Sequence, residues 1–228
     1  MKREDLAAAI DHTLLGPAAT SEAVDRLCDE AVRLGAASVC VNPRHAVRAR
    51  ERIAGTSVRL CVVIGFPHGM TTPAVKAFEA REAIAAGAEE LDMVLAVGAL
   101  KDGDDEGVRA DIAAVCDVAH AARPRATVKV ILETCLLSDD EKRRAAVLAE
   151  HAGADFVKTS TGFAAGGATV EDVRLLRASV TPGVSVKAAG GIRDTATALA
   201  MLDAGASRIG ASRTADILAG LDAGSARR

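Results

Sequence analysis

DFVKTSTGFAAGGATVEDVRLLRASVTPGVSVKAA, residues 155–189, contains one complete unit of the architecture. It opens on a short run, Asp155–Ser160, in which the apolar Val157 precedes Lys158. A glycine-rich loop follows, then a helical pattern over Thr169–Ser179 that begins on a good N-cap threonine. A second run, Val184–Ala189, completes the unit. A strand, a crossover helix and another strand imply parallel pairing, because a parallel neighbour lies beyond the reach of a tight turn.

The same unit recurs on both sides. Candidate strands are Ala9–Leu14, Ser38–Asn42, Arg59–Gly65, Leu91–Val97, Thr127–Glu133, Asp155–Ser160, Val184–Ala189 and Arg208–Ala211. Helical patterns fall at Ser21–Leu34, Pro43–Ala54, Pro73–Ala86, Gly107–Ala121, Ser138–His151, Thr169–Ser179, Asp194–Ala204 and Thr214–Leu221. Gly35, Gly87, Gly153 and Gly205 close helices just before a strand, where a left-handed residue suits glycine. Eight such units within 228 residues predict an α/β fold, a single (β/α)8 TIM barrel occupying 1–228 as one domain. No G-x-G-x-x-G follows the first strand, which argues against a dinucleotide-binding open sheet.

Composition narrows the function. Half the residues are hydrophobic, enough for a full core, and the net charge of −3 gives no basic stripe for nucleic acid. Four Phe with no Tyr or Trp leave no base-stacking platform. No apolar run approaches the roughly 20 residues of a membrane span. The N-terminus mixes charges into its apolar patch, unlike a signal peptide. Five scattered cysteines without C-x-x-C spacing read as reduced thiols, so a cytoplasmic protein is expected.

The lysines carry the most information. There are seven, and Lys2, Lys76, Lys101 and Lys142 fall in the N-terminus, helices or loops. Lys129, Lys158 and Lys187 instead lie inside apolar strands, where a charge is costly unless paired or neutralised. They alternate with Val128, Val130, Val157 and Val186, which suit the layer facing the helices, so the lysines should face the barrel interior. Lys158 and Lys187 sit on consecutive strands. Like charge and desolvation both lower an ammonium pKa, and a value of about 7–8 would supply the free amine that imine chemistry needs. The structural alternative pairs each lysine with a carboxylate, with Asp92 and Glu133 as candidates.

Asp92, between Leu91 and Met93, also points inward by alternation. It can shuttle protons or simply balance the lysines, and Lys187 would hold it ionised. Asp11 and Thr13 share a face of the first strand, suited to binding hydroxyls or to a proton relay; Asp11 serves equally well to orient the chain. Asn42 ends the second strand as a further polar contact.

Two glycine clusters follow the last two strands, Gly190-Gly191-Ile192-Arg193 and Gly210-Ala211-Ser212-Arg213. Barrels commonly bind phosphate there, and glycine lets backbone N–H groups approach an anion closely. The loop from Thr161 to Gly167 can close over the same end. The five histidines show no metal-ligand spacing, so no metal site is expected. His68 reads as a turn residue, and Cys40 and Cys61 as small interior residues.

With these residues in place, the chain resembles the deoxyribose-phosphate aldolase family almost end to end. The matching blocks are IDHTLL, SVCVNP, VVIGFPHG, GAEELDMVLAVGAL, KVILET, GADFVKTSTGF, VKAAGGIR and SRIGAS. The resemblance implies reversible cleavage of 2-deoxy-D-ribose 5-phosphate to D-glyceraldehyde 3-phosphate and acetaldehyde in deoxynucleoside catabolism, without metal or organic cofactor. It implies Lys158 as the imine-forming residue, Lys187 as its tuner and Asp92 as proton donor and acceptor. Gly162, Gly190, Gly191, Gly210 and Ser212 match phosphate-binding positions, and a homo-oligomer, a dimer, is expected. Phe163 departs from members with a basic residue there. Two rivals are an aldolase acting on a different phosphorylated sugar and a sugar-phosphate binding protein whose lysines only neutralise phosphate.

Overall fold

The eight apolar runs are eight parallel strands, and the last pairs with the first. A computed structural model describes the backbone of residues 1–225 and the side chains of residues 1–221; the final three residues of the expected domain lie outside the described residues. The strands are β1 (Ile10–Leu14), β2 (Ser38–Val41), β3 (Arg59–Ile64), β4 (Glu90–Val94), β5 (Thr127–Ile131), β6 (Phe156–Lys158), β7 (Ser185–Ala189) and β8 (Arg208–Ala211). They form a closed barrel in sequence order. Around it run α2 (Ser21–Leu34), α3 (Ala46–Arg52), α4 (Pro73–Ala85), α6 (Asp105–Ala121), α7 (Asp139–His151), α8 (Val170–Ser179), α9 (Thr195–Asp203) and α10 (Thr214–Ser225), with two short helices, α1 (Arg3–Ala7) and α5 (Val97–Lys101).

Alternation along each strand builds two layers. Val157, Val186, Val128, Val130, Leu91 and Met93 pack outward in the large core that also takes the inner faces of the helices. Alanines such as Ala145, Ala146 and Ala149 of α7 are fully buried there and let helix and sheet approach closely. The inward layer is largely polar and charged, with one small apolar cluster of Leu15, Cys40, Cys61 and Val63. Helix α2 illustrates the local logic. Val24, Leu27, Cys28, Ala31 and Leu34 form one buried stripe at helical spacing. The Thr20 hydroxyl accepts from the Ala23 N–H at 3.2 Å, and Gly35 ends the helix at φ 74°. Such a cap contributes about 1 kcal/mol.

Several boundaries differ from the sequence reading. The fourth strand stops at Val94 and hands over to α5, where an apolar run to Val97 had suggested more strand. The expected helix over 43–54 divides into a single 3-10 turn, Pro43–His45, and α3. Lys76 lies on α4 as expected, yet it is fully buried. Its ammonium donates to Asp111 Oδ2 at 2.5 Å and to the Val94 carbonyl at 2.9 Å, clamping α4 to α6 and the end of β4.

Candidate active site

Register brings the inward residues together. Lys158 pairs with Lys187 across β6 and β7, and Asp92 with Lys129 across β4 and β5. Asp92 is fully buried and receives all three ammonium groups. Lys158 and Lys187 each donate to Oδ2 at 2.7 Å, and Lys129 donates to Oδ1 at 2.9 Å. Burial opposes a charge on Asp92, but Lys129, Lys158 and Lys187 outweigh it and hold the carboxyl well below the usual range.

A second tier lies beneath. Lys187 also reaches Asp11 Oδ2 at 2.5 Å, and Lys129 reaches Glu90 Oε2 at 2.6 Å. Arg208 bonds Asp11 Oδ1 at 2.6 Å and bridges to Glu90 at 3.2 Å. The Ser38 hydroxyl donates to Asp11 Oδ1 at 2.7 Å. Among the described residues, this buried cluster sets four cations (Lys129, Lys158, Lys187, Arg208) against three carboxylates (Asp11, Glu90, Asp92). Half-exposed Arg59 touches Glu90 from the rim at 3.2 Å and is screened by solvent. One buried ammonium is therefore in surplus, and losing a proton from it brings the cluster to neutrality.

The position of that surplus follows from access. A cavity of about 290 Å³ opens at the C-terminal ends of the strands, and of the three lysines only Lys158 lines it. Lys187 is fully buried below. The mutual lowering expected for two neighbouring ammonium groups does not hold for Lys187: burial pulls its pKa down, but Asp11 and Asp92 overcome that and leave it above its ordinary value. Lys129 is raised in the same way, against burial, chiefly by Asp92. Both stay charged.

The remaining expected residues divide between cavity and floor. Thr13, Gly162, Gly190, Gly191, Gly210 and Ser212 line the cavity with Lys158. Asp92, Lys187 and Asp11 do not. Asp11 is fully enclosed by Lys187, Arg208 and Ser38, a position that bars it from direct contact with a ligand in the cavity. Gly190 and Gly191 both adopt positive φ, 93° and 80°. A Cβ on Gly190 would meet Gly167 Cα at 3.0 Å, so this glycine also lets the loop after β6 pack against the loop after β7. Gly210 faces Lys187, whose Cε would lie 3.2 Å from an added Cβ. Arg193 lines the same end and was overlooked as a site residue; a guanidinium beside paired glycines is the signal that could have marked it.

Three other expectations take a different form. Glu133 does not partner a lysine; its carboxylate accepts the Thr161 N–H and hydroxyl. Asn42 donates to the Leu15 carbonyl at 3.1 Å and braces the loop after β1. Cys40, Cys61 and Asp92 place ligand atoms within 4.8 Å of one another, a donor set invisible in the spacing. Asp92 there already carries three ammonium groups, which oppose any added cation.

The sequence profile described as DeoC/LacD family aldolase matches residues 6–226. The chain belongs to this family. A deoxyribose-phosphate aldolase of Geobacillus sp. (strain WCH70) is 55% identical over 221 residues, covering 97% of this chain and 98% of the relative. One from Thermococcus gammatolerans is 55% identical over 218 residues, covering 95% and 96%. The tetrameric deoxyribose phosphate aldolase from Aeropyrum pernix superposes with a TM-score of 0.90 at 37% identity, covering 97% of this chain and 92% of that one. The DeoC/LacD membership fits a barrel whose one accessible buried amine sits beside a glycine-lined pocket.

Proposed function

We propose that the chain is a Schiff-base aldolase that reversibly cleaves 2-deoxy-D-ribose 5-phosphate to D-glyceraldehyde 3-phosphate and acetaldehyde. The observation that carries this reading is Lys158: it lines the cavity, lies 2.7 Å from a deeply ionised carboxylate, and belongs to a cluster with one ammonium too many. Deprotonated Lys158 attacks the C1 carbonyl, and loss of water from the carbinolamine gives an iminium. Removing the C3 hydroxyl proton then breaks the C2–C3 bond. The bond pair moves into the iminium as an enamine, and C3 leaves as the aldehyde of D-glyceraldehyde 3-phosphate. Protonation at C2 and hydrolysis release acetaldehyde and restore the amine. Asp92 lies below the cavity beside Lys158, so it acts as proton acceptor and donor by way of the water released in iminium formation. Lys187 stays charged, so it keeps Asp92 ionised and discourages a second charge on Lys158.

The phosphate belongs at the far end of the cavity. Gly162, Gly190, Gly191 and Gly210 leave the backbone uncovered there, and Ser212 and Arg193 add polar groups. Thr13, which also lines the cavity, would bind a sugar hydroxyl. The amine supplies the electron sink, so the cycle uses no metal or organic cofactor. The same reading takes the protein to be a cytoplasmic homo-oligomer, a dimer. Its four buried cysteines and exposed Cys135 are all free, and no described helix is long and apolar enough to cross a membrane. Light scattering after size exclusion distinguishes dimer from monomer or tetramer.

Borohydride reduction in the presence of acetaldehyde, followed by peptide mass analysis, tests the chemistry. An ethyl group on Lys158 is the expected result. An adduct only on other lysines, or none, overturns the reading. Binding of the phosphorylated sugar that survives Lys158→Arg without turnover or adduct in the parent would indicate a binding protein.

A further inference from the structure

Glu133, two residues past the end of β5, is the one non-glycine residue with positive φ, 57°, among the described residues. A long side chain disfavours that left-handed backbone, whereas glycine adopts it freely. The carboxylate is also buried, at 4% exposure, and no Lys, Arg or His of the described residues forms an ion pair with it. All of its hydrogen bonds go to Thr161. The Thr161 N–H donates to it at 3.2 Å, and the Thr161 hydroxyl makes a short bond to Oε2. That hydroxyl oxygen in turn accepts from the Phe163 N–H at 3.1 Å.

Thr161, Gly162 and Phe163 line the Lys158 cavity; Glu133 does not. It faces instead a neighbouring space of about 330 Å³ that also touches Thr161 and Phe163, so this three-residue segment is the wall between the two. Gly162 sits at its centre at φ 86°, and the position a Cβ would take there faces open space. The Phe163 ring, half exposed, is steadied on the other side by an edge-on contact with Phe66 at 5.2 Å. Without the carboxylate, Thr161 loses its bonds to Glu133, and the hydroxyl that receives the Phe163 N–H is no longer held from below.

We propose that Glu133 is a positioning residue: through Thr161 it fixes the segment 161–163 so that the backbone at Gly162 is presented to the phosphate of the substrate, and it thereby sets the preference for phosphorylated over unphosphorylated sugar. The inference rests on the reading of the cavity given above. Glu133 acts at a distance from the reacting carbon, so its loss weakens ground-state and transition-state binding of the phosphate alike and appears mainly in KM.

The test compares 2-deoxyribose 5-phosphate with 2-deoxyribose as substrates for Glu133→Gly, Glu133→Gln and Thr161→Val. Glycine removes the carboxylate while suiting the backbone, and valine replaces only the hydroxyl. Glu133→Gly and Thr161→Val are expected to raise KM for the phosphorylated sugar about tenfold, the scale of a lost charge-assisted hydrogen bond, with a smaller fall in kcat. Their kcat/KM for 2-deoxyribose should change by less than about threefold, and Glu133→Gln, which keeps one acceptor oxygen, should recover part of the loss. Equal losses for both sugars, an unchanged KM, or no recovery with Gln would overturn the proposal. If Glu133→Gly does not fold, Thr161→Val decides on the same criteria. Acetaldehyde trapping on the parent separates the two readings: no adduct on Lys158 refutes the aldolase, whereas an adduct with equal losses refutes only the positioning role.

Discussion

The ammonium groups of Lys158 and Lys187 converge on a single oxygen of Asp92, each at 2.7 Å, yet only Lys158 reaches the cavity. Two lysines paired across adjacent strands therefore occupy different electrostatic positions. Lys187 shares two carboxylates and is fixed as a cation; Lys158 shares one and stands at the edge of the cluster.

Replacing Lys158 by Met should remove the adduct and lower kcat/KM at least about a thousandfold, as loss of a covalent nucleophile does. Because the cluster carries a surplus cation, the substitution should leave the melting temperature nearly unchanged or raise it. Calorimetry and a steady-state assay read the two effects separately.

Lys187→Leu should move the pH profile of imine formation upward. Asp92 then loses one of the cations that hold its carboxyl low, and the reacting amine loses the like charge paired beside it. Asp11 loses a partner as well, so stability should fall by about 3–5 kcal/mol, the usual cost of breaking a buried pair. A profile unchanged in a folded variant would exclude the tuning role.

Asp92→Asn addresses acid stability. The folded-state pKa of Asp92 is depressed well below the ordinary 3.8, so its contribution is fully present above that value and fades as pH falls toward the folded pKa. The variant should lose about 3–5 kcal/mol at neutral pH and, in urea titrations between about pH 5 and 3, show a shallower decline than the parent. A parallel decline in both proteins would contradict the assignment.

Lys76→Met leaves Asp111 buried without its cation and should cost about 3–5 kcal/mol, while Lys76→Met with Asp111→Leu should recover most of it. Neither change touches the cavity, so kcat/KM of the folded protein should hold. Chemical denaturation of the single and double variants gives the comparison.

Phe163→Lys places an ammonium on the cavity wall. KM for 2-deoxyribose 5-phosphate should drop roughly threefold to tenfold at low salt, with the gain shrinking as salt rises. The edge-on contact with Phe66 is forfeited, at about 0.5–1.5 kcal/mol. No change in KM would show that the phosphate does not approach this wall.

Strand order and the inward set were readable because alternation of Val157 with Lys158, Val186 with Lys187 and Leu91 with Asp92 is a local signal. The partners were not, since each pair joins distant parts of the chain. Glu90 and Arg208 begin their strands, where a charged residue reads as solvent-facing, yet barrel closure turns both inward. Lys76 was hidden because α4 is rich in alanine and lacks a dominant apolar stripe. Glu133 stood only as a candidate lysine partner, because its left-handed backbone and its bonds to Thr161 leave no trace in residue type.

The bond between Asp11 and Arg208 spans 197 residues and crosses the β1–β8 seam, where the ring of strands meets itself. A chain still emerging during synthesis holds the carboxylates of Asp11 and Glu90 long before Arg208 exists. Closing the seam is thus a geometric and an electrostatic event at once. A ring of the first seven strands balances its charges through the three lysines but leaves Asp11 and Glu90 without the guanidinium that bridges them, so the last strand completes pairings that no earlier strand supplies.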